Sequence, residues 1–253
     1  MVRCLVNGEK EYEIDGILFD KDGTLINFES LWLGWTEAFL EMMATKASLN
    51  QTEKYAIAER IGFHFKKQTW DVKGPLYVGS STELTAVCAF CLYQHGFFWD
   101  EAVELMHEIF SEMNAYEGWE NTIQPTKGLL HLLERARNHS LNMGVVTADD
   151  YHKAKRHLEK LAIASYFETI SAADQVEKGK PFPDMVHKAC EKMDVLPERM
   201  ILIGDSNGDM VLGKNGGVQA NIGFVTDKSA TEQHYLTAAD KIIDDFSSIT
   251  FHR

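Results

Sequence analysis

Residues 16–19, Gly-Ile-Leu-Phe, form a four-residue apolar run that stops at Asp20-Lys21-Asp22-Gly23. A run this short, without polar alternation, predicts a strand buried on both faces, as in the interior of a parallel sheet. The signature returns at residues 143–147 (Met-Gly-Val-Val-Thr) and at residues 200–204 (Met-Ile-Leu-Ile-Gly), the second followed by Asp205. Around these runs the period becomes helical. Leu129, Leu132, Leu133 and Ala136 share one helix face, residues 151–161 form a second helix, and residues 182–193 form a third behind Pro181. Residues 209–215 predict another helix, and residues 167–171, 218–222 and 241–243 predict short strands. Strand and helix alternate from residue 125 onward. The chain is therefore expected to be α/β: a Rossmann-like parallel sheet with helices on both faces.

Two segments depart from this pattern. Val2, Cys4 and Val6 fall at every second position, Asn7-Gly8 follows, and Tyr12 and Ile14 resume the alternation, which predicts a short N-terminal β-hairpin over residues 1–15. Residues 29–116 are helical in period. Leu31, Trp35, Ala38, Phe39 and Met42 share one face, residues 52–61 form a helix stopped by Gly62, Ser80 to Glu83 form a capping box, and Asp100 is the expected N-cap of the next helix. No strand signal interrupts the segment. Residues 27–122 are expected to be an all-α insert, and residues 1–26 with 123–253 the α/β core domain.

The 253 residues carry a formal net charge of −13. Such a chain repels a nucleic-acid backbone unless it concentrates basic residues, and the densest basic stretch, 152–160, alternates with apolar residues as an amphipathic helix does. No nucleic-acid partner is expected. No stretch approaches the roughly 18 apolar residues of a membrane span, and residues 1–10 lack the apolar core of a signal peptide, so neither a membrane nor export is expected. Cys4, Cys88, Cys91 and Cys190 are scattered, which fits a reducing cytoplasm. The residues leave open whether the chain is a monomer or a homodimer.

In an open parallel sheet, ligands bind at the carboxyl ends of the strands, near a switch in strand order. Asp20 and Asp22, Thr147, and Asp205 with Asp209 all follow such ends. Lys178 and Lys180, in a loop rich in Gly and Pro, are the cations placed to join them. Carboxylates gathered this closely repel one another, and a hard divalent cation relieves the conflict through oxygen ligands. Cation and lysine together make a pocket for phosphate. Thr147 can donate to a phosphoryl oxygen, a free carboxylate can attack phosphorus, and a second can carry protons.

These residues resemble the four motifs of the haloacid dehalogenase superfamily. Asp20-Lys-Asp-Gly-Thr-Leu25 is similar to the first, Val146-Thr147 to the second, Lys180 before Pro181 to the third, and Gly204-Asp205-Ser-Asn-Gly-Asp209 to the fourth. The resemblance implies that Asp20 is nucleophile and metal ligand. It implies that Asp22 is general acid and base, with its backbone carbonyl on the metal. Thr147 and Lys180 would hold the phosphoryl group, Asp205 would complete a Mg2+ shell, and Asp209 would be an outer or supporting ligand. The insert resembles the family's mobile cap. The implied activity is hydrolysis of a small phosphorylated metabolite, similar to phosphoglycolate or sugar-phosphate phosphatases. A sugar phosphomutase shares every core residue. A phosphonatase needs a cap lysine, for which Lys66, Lys67 and Lys73 are present without supporting context. A phosphate-binding regulator without catalysis is a further alternative. Dehalogenation is disfavoured, because it needs no metal and this chain keeps Asp22 and Asp205.

Plainer roles compete at several positions. Asp209 can cap a helix, and Asp149 and Asp150 are expected to start one. Cys88 and Cys91 have metal-ligand spacing but no second pair, so core packing is expected. His131, His139, His152 and His157 are expected on solvated helix faces. Trp32 and Trp35 either pack in the insert's core or line a pocket. Residues 64–73, with Lys66, Lys67, Trp70 and Lys73, read either as a solvated helix face or as a second anion contact. Lys21 is expected to point away from the site, since side chains alternate along an extended chain.

Overall fold

Gly16–Phe19 (β3) is the hub of a six-stranded parallel sheet in the computed structural model, which describes residues 2–225 and 235–252. Asn142–Thr147 (β6) and Met200–Gly204 (β8) flank β3, Thr169–Ala172 (β7) lies beyond β6, and Ala220–Phe224 (β9) and Lys241–Ile243 (β10) lie beyond β8. The order is β10-β9-β8-β3-β6-β7. From β3 the chain moves outward through β6 and β7, then returns to the other side of β3 at β8. The strand order therefore reverses beside β3, and crevices for ligands form at such points. Ile17, Leu18 and Phe19 are fully buried, which explains why their run lacks polar alternation.

Among the described residues, four helices accompany this sheet along the chain. Leu129–Asn138 (α6) precedes β6, and Tyr151–Lys160 (α7) follows it. Asp184–Met193 (α8) packs on β6 and β7, and Asn207–Gly216 (α9) packs on β8 and β9.

Val2–Val6 (β1) and Lys10–Ile14 (β2) make the expected hairpin. Asn7 and Gly8 both take positive φ in the turn, and Glu9 N–H donates to Val6 O at 3.2 Å. Ile249–His252 (β11) adds a third antiparallel strand on the other side of β1, beyond the expected hairpin.

The chain divides into two compact units, residues 1–28 with 123–253 and residues 29–122. Where the first unit's two segments meet, Asn27 N–H donates to Gln124 O at 2.9 Å and Ile26 bridges Pro125.

In the second unit, Phe28–Lys46 (α1, which begins at the last residue of the first unit), Gln51–Ile61 (α2), Pro75–Val78 (α3), Ser81–Gln94 (α4) and Trp99–Ala115 (α5) surround an apolar core. Trp35 stacks on Phe39 at 4.9 Å, and Cys88 and Cys91 are buried in the same cluster. The Cys pair is thus core, and Trp35 is core with Trp32 packed against it. The unit is not all-helical. Gly62, at φ +90, ends α2, and Phe63–His64 (β4) then pairs with Thr69–Trp70 (β5) around a turn that holds Lys66 and Lys67. Residues 64–73 are therefore a ribbon and turn rather than a helix face. Two-residue strands are too short to leave an alternation signal. The α5 N-cap position is Phe98 rather than Asp100. Glu101, three residues on, accepts from the Phe98 N–H, and Asp100 adds charge in the first turn. Among the described residues no helix is long and apolar enough to cross a membrane.

Candidate active site

Asp20 follows β3 directly, and its N–H still donates to Ile203 O of β8 at 2.8 Å. Asp205 follows β8, and Thr147 ends β6. Three adjacent strands thus deliver their terminal polar residues to one edge of the sheet. The loop after Asp20 folds back tightly, with the N–H groups of Leu25 and Ile26 both donating to Lys21 O at 2.9 Å. Gly23 adopts φ +81 in this loop, and a Cβ there would lie 2.0 Å from Asp205 Oδ2. Only glycine fits both the backbone angle and the contact.

Asp20, Asp205 and Asp209 are buried and offer oxygens within 4.8 Å of one another. Lys180 joins them. Its ammonium donates to Asp20 Oδ1, and to Asp209 Oδ1 at 2.6 Å. The loop that carries Lys180 is pinned by Asn215 Nδ2 donating to Pro181 O at 2.9 Å, Lys188 Nζ to Gln175 O at 2.6 Å and Lys178 N–H to Asp184 Oδ2 at 3.2 Å. Lys178 itself is outside the cluster, its ammonium 5.3 Å from the Phe182 ring centre. Asp209 is not an N-cap. Ser206 caps α9, and Asp209 Oδ2 closes the capping box by accepting from the Ser206 N–H at 3.0 Å and its hydroxyl at 2.7 Å. One Asp209 oxygen therefore orders the helix while the other holds Lys180.

Burial pushes Asp20 from 3.8 up to about 7; Lys180 opposes the rise, and the Asp209 and Asp22 charges add to it. Burial acts to lower the Lys180 pKa, but Asp20 and Asp209 outweigh it and the ammonium is stabilised. With all three carboxylates ionised, they and the one ammonium would sum to −2, the charge one divalent cation neutralises. An all-oxygen donor set of this kind suits a hard cation such as Mg2+. The cluster can hold a metal ion on both chemical and electrostatic grounds.

Thr147 is buried, and its Oγ1 accepts the Asp149 N–H at 3.1 Å. That bond orients the hydroxyl and leaves its proton to donate. The Asp22 carboxylate lies in a different group, with Asp149 and His157. The Lys21 ammonium fills that group, 2.5 Å from Asp22 Oδ1, 2.9 Å from Asp149 Oδ2 and 3.2 Å from His157 Nδ1. Lys153, on α7, reaches Asp149 Oδ1 at 3.1 Å. Burial acts to raise the Asp149 pKa, but Lys153, Lys21 and His157 together hold the carboxyl well below the usual range.

Two expectations are corrected here. His157 is fully buried rather than solvated. Asp150 takes the N-cap position of α7, as expected of this acidic pair, and the Asp149 carboxylate in addition joins two lysines. Lys21 does leave the Asp20 cluster, but its ammonium returns to Asp22. The signal for His157 was available: Ala154, His157 and Leu158 share the buried face of α7 at helical spacing.

Residues 17–223 match the family model described as haloacid dehalogenase-like hydrolase. The pyrophosphatase PpaX of Oceanobacillus iheyensis is 27% identical over 237 residues, covering 92% of this chain and 94% of the relative. A phosphorylated carbohydrates phosphatase of Thermotoga maritima is 21% identical, covering 84% of this chain and 86% of its own. Among solved structures, a predicted phosphoglycolate phosphatase from Haemophilus somnus superimposes with a TM-score of 0.67 at 18% identity, covering 93% of this chain and 96% of that one.

Proposed function

This chain belongs to the haloacid dehalogenase-like hydrolase family, and we propose that within it the protein is a Mg2+-dependent phosphatase that hydrolyses a small phosphate monoester through Asp20. The observation that carries the reading is the Lys180 ammonium between Asp20 and Asp209, with Asp205 in the same buried cluster. Asp20, Asp205 and Asp209, with the backbone carbonyl of Asp22, are the groups to hold the ion. When bound, Mg2+ would supply positive charge for the substrate's phosphoryl oxygens.

The chain's own groups account for the rest. The Lys180 ammonium keeps Asp20 oriented and offsets part of the charge around it. The Asp20 carboxylate attacks phosphorus, the bond to the leaving oxygen breaks, and an aspartyl-phosphate forms. Asp22 gives its proton to that leaving oxygen. Water then attacks the phosphoenzyme, Asp22 takes up its proton, and phosphate departs from Asp20. Thr147 donates its hydroxyl hydrogen to a phosphoryl oxygen in both steps.

The test is phosphate release by the purified protein, with Mg2+ and with chelator. The panel contains p-nitrophenyl phosphate, 2-phosphoglycolate, hexose phosphates and, because of the relatives named pyrophosphatase, inorganic pyrophosphate. Mg2+-dependent release that Asp20→Asn abolishes is the expected result. No release from any substrate, or full activity in Asp20→Asn, would falsify the proposal. Isomerisation of a hexose phosphate without net release points to the mutase alternative.

A further inference from the structure

The group formed by Asp22, Asp149 and His157 is built like a metal site, with one ligand atom from each residue and all three within 4.8 Å. A cation already sits among them, and it belongs to the chain. The Lys21 ammonium has no exposed surface and contacts all three. An ammonium has three protons and no lone pair, so the His157 Nδ1 it faces must be the unprotonated nitrogen, while Asp22 and Asp149 balance its charge. The contact leaves His157 with its proton on Nε2.

Each partner is fixed from a different part of the core unit. His157 is on the buried face of α7. Asp149 follows β6, its N–H on Thr147 Oγ1, its carbonyl accepting from Ala173 N–H at 3.1 Å and its second oxygen on Lys153. Lys21 is in the loop between Asp20 and Gly23, where its own carbonyl ties down Leu25 and Ile26. The Asp22 side chain, 20% exposed, is the most open member of the group, ahead of Asp149 at 10%. Its Oδ1 is taken by Lys21. A carboxylate held by one oxygen on an immobile ammonium has its second oxygen aimed in one direction.

We propose that Lys21 is a positioning residue: Asp149 and His157 hold its ammonium, and the ammonium aims the Asp22 carboxylate so that its other oxygen meets the substrate's leaving oxygen. The inference rests on the reading of Asp22 as the proton carrier. A proton carrier must come within about 2.6–3.2 Å of its target. A carboxylate free to turn about its Cα–Cβ and Cβ–Cγ bonds spends little time there. The chain thus places a lysine between two acids in a loop where a buried apolar side chain would fill space without directing either of them.

The role differs from mere neutralisation of buried acids in its dependence on the leaving group. Nitrophenolate leaves without a proton, and an alkoxide does not. Lys21→Met should therefore lower kcat/KM for an alkyl phosphate about ten-fold more than for p-nitrophenyl phosphate, part of the roughly 10²–10⁴-fold that acid catalysis contributes. Inhibition by inorganic phosphate should not change. Asp149→Asn, which keeps the ammonium and the side-chain volume, should show the same selective loss, and it carries the test if Lys21→Met does not fold. Equal losses on both substrates, or no loss, overturn the proposal. Asp22→Asn is the control. If Asp22→Asn loses alkyl phosphate selectively while the Lys21 and Asp149 variants do not, only the positioning role fails. If Asp22→Asn is unaffected, the proton-carrier reading fails first.

Discussion

Gly23 leaves no space beside Asp205: a single methyl group on its α-carbon would stand 2.0 Å from the carboxylate's Oδ2. Gly23→Ala must move that carboxylate, and it also puts a side chain at φ +81, which costs about 1–2 kcal/mol. We expect a lower melting temperature and Mg2+ binding weakened roughly 10–100-fold, as when a ligand's support is lost. Isothermal titration with Mg2+, beside a thermal melt, reads both. Unchanged Mg2+ affinity means that Asp205 does not bind the ion.

Lys180 is the shared counter-ion of two buried carboxylates. Lys180→Met leaves Asp20 and Asp209 without it, and breaking a buried pair costs about 3–5 kcal/mol. The variant should melt well below wild type and be inactive. Lys180→Arg restores charge but not shape, so it should recover stability more than activity. Denaturant unfolding and steady-state kinetics on the three proteins provide the comparison.

Acidity changes what the site can hold. Asp20 is raised from 3.8 to about 7 when no cation is bound. Below about pH 4 the folded and unfolded chains both carry its proton. As pH rises towards 7, the unfolded chain releases the proton while the folded chain retains it, so this group's contribution to stability falls. Mg2+ requires the ionised form. The Mg2+-induced rise in melting temperature should therefore be larger at pH 8 than at pH 5, and Asp20→Asn should reduce the difference. A Mg2+ effect independent of pH counts against Asp20 as a ligand.

Thr147→Val removes a hydroxyl whose oxygen accepts the Asp149 N–H. It should lower kcat on the order of 10²-fold, as loss of one donor to developing charge does. Thr147→Ser keeps the hydroxyl and should stay close to wild type. If the Val and Ser variants behave alike, the hydroxyl does not touch the phosphoryl group.

Much of this architecture is legible in the sequence where the signal is local. The strands β3, β6 and β8 announce themselves because burial on both faces removes polar residues from them. The acids and threonine at their ends stand out against that background. Other features depend on the rest of the chain. Nothing in Ile249–His252 marks it as a partner for Val2–Val6, since pairing across the whole chain leaves no local trace. Alternation at Lys21 correctly turns its side chain from the Asp20 cluster, but the backbone leaves the strand there. Where the ammonium ends depends on β6 and α7, 128 and 136 residues further along. The burial of His157 is legible from its place beside Ala154 and Leu158 on one face of α7, but the ammonium it faces is not.

The junction at Asn27 and Gln124 has a meaning for how such chains diversify. The backbone leaves the α/β unit and re-enters it at two points already joined by a hydrogen bond of 2.9 Å and by the Ile26–Pro125 bridge. The scaffold's own bonds thus close the gap that any insert must span. An insertion at this seam can lengthen, shorten or be exchanged at an entropic cost that grows only with the logarithm of its length. The registers of β3 and β6 need not change with it. Residues 29–122 are in this sense a cassette, and the seam is where recombination between relatives would do least harm to Asp20.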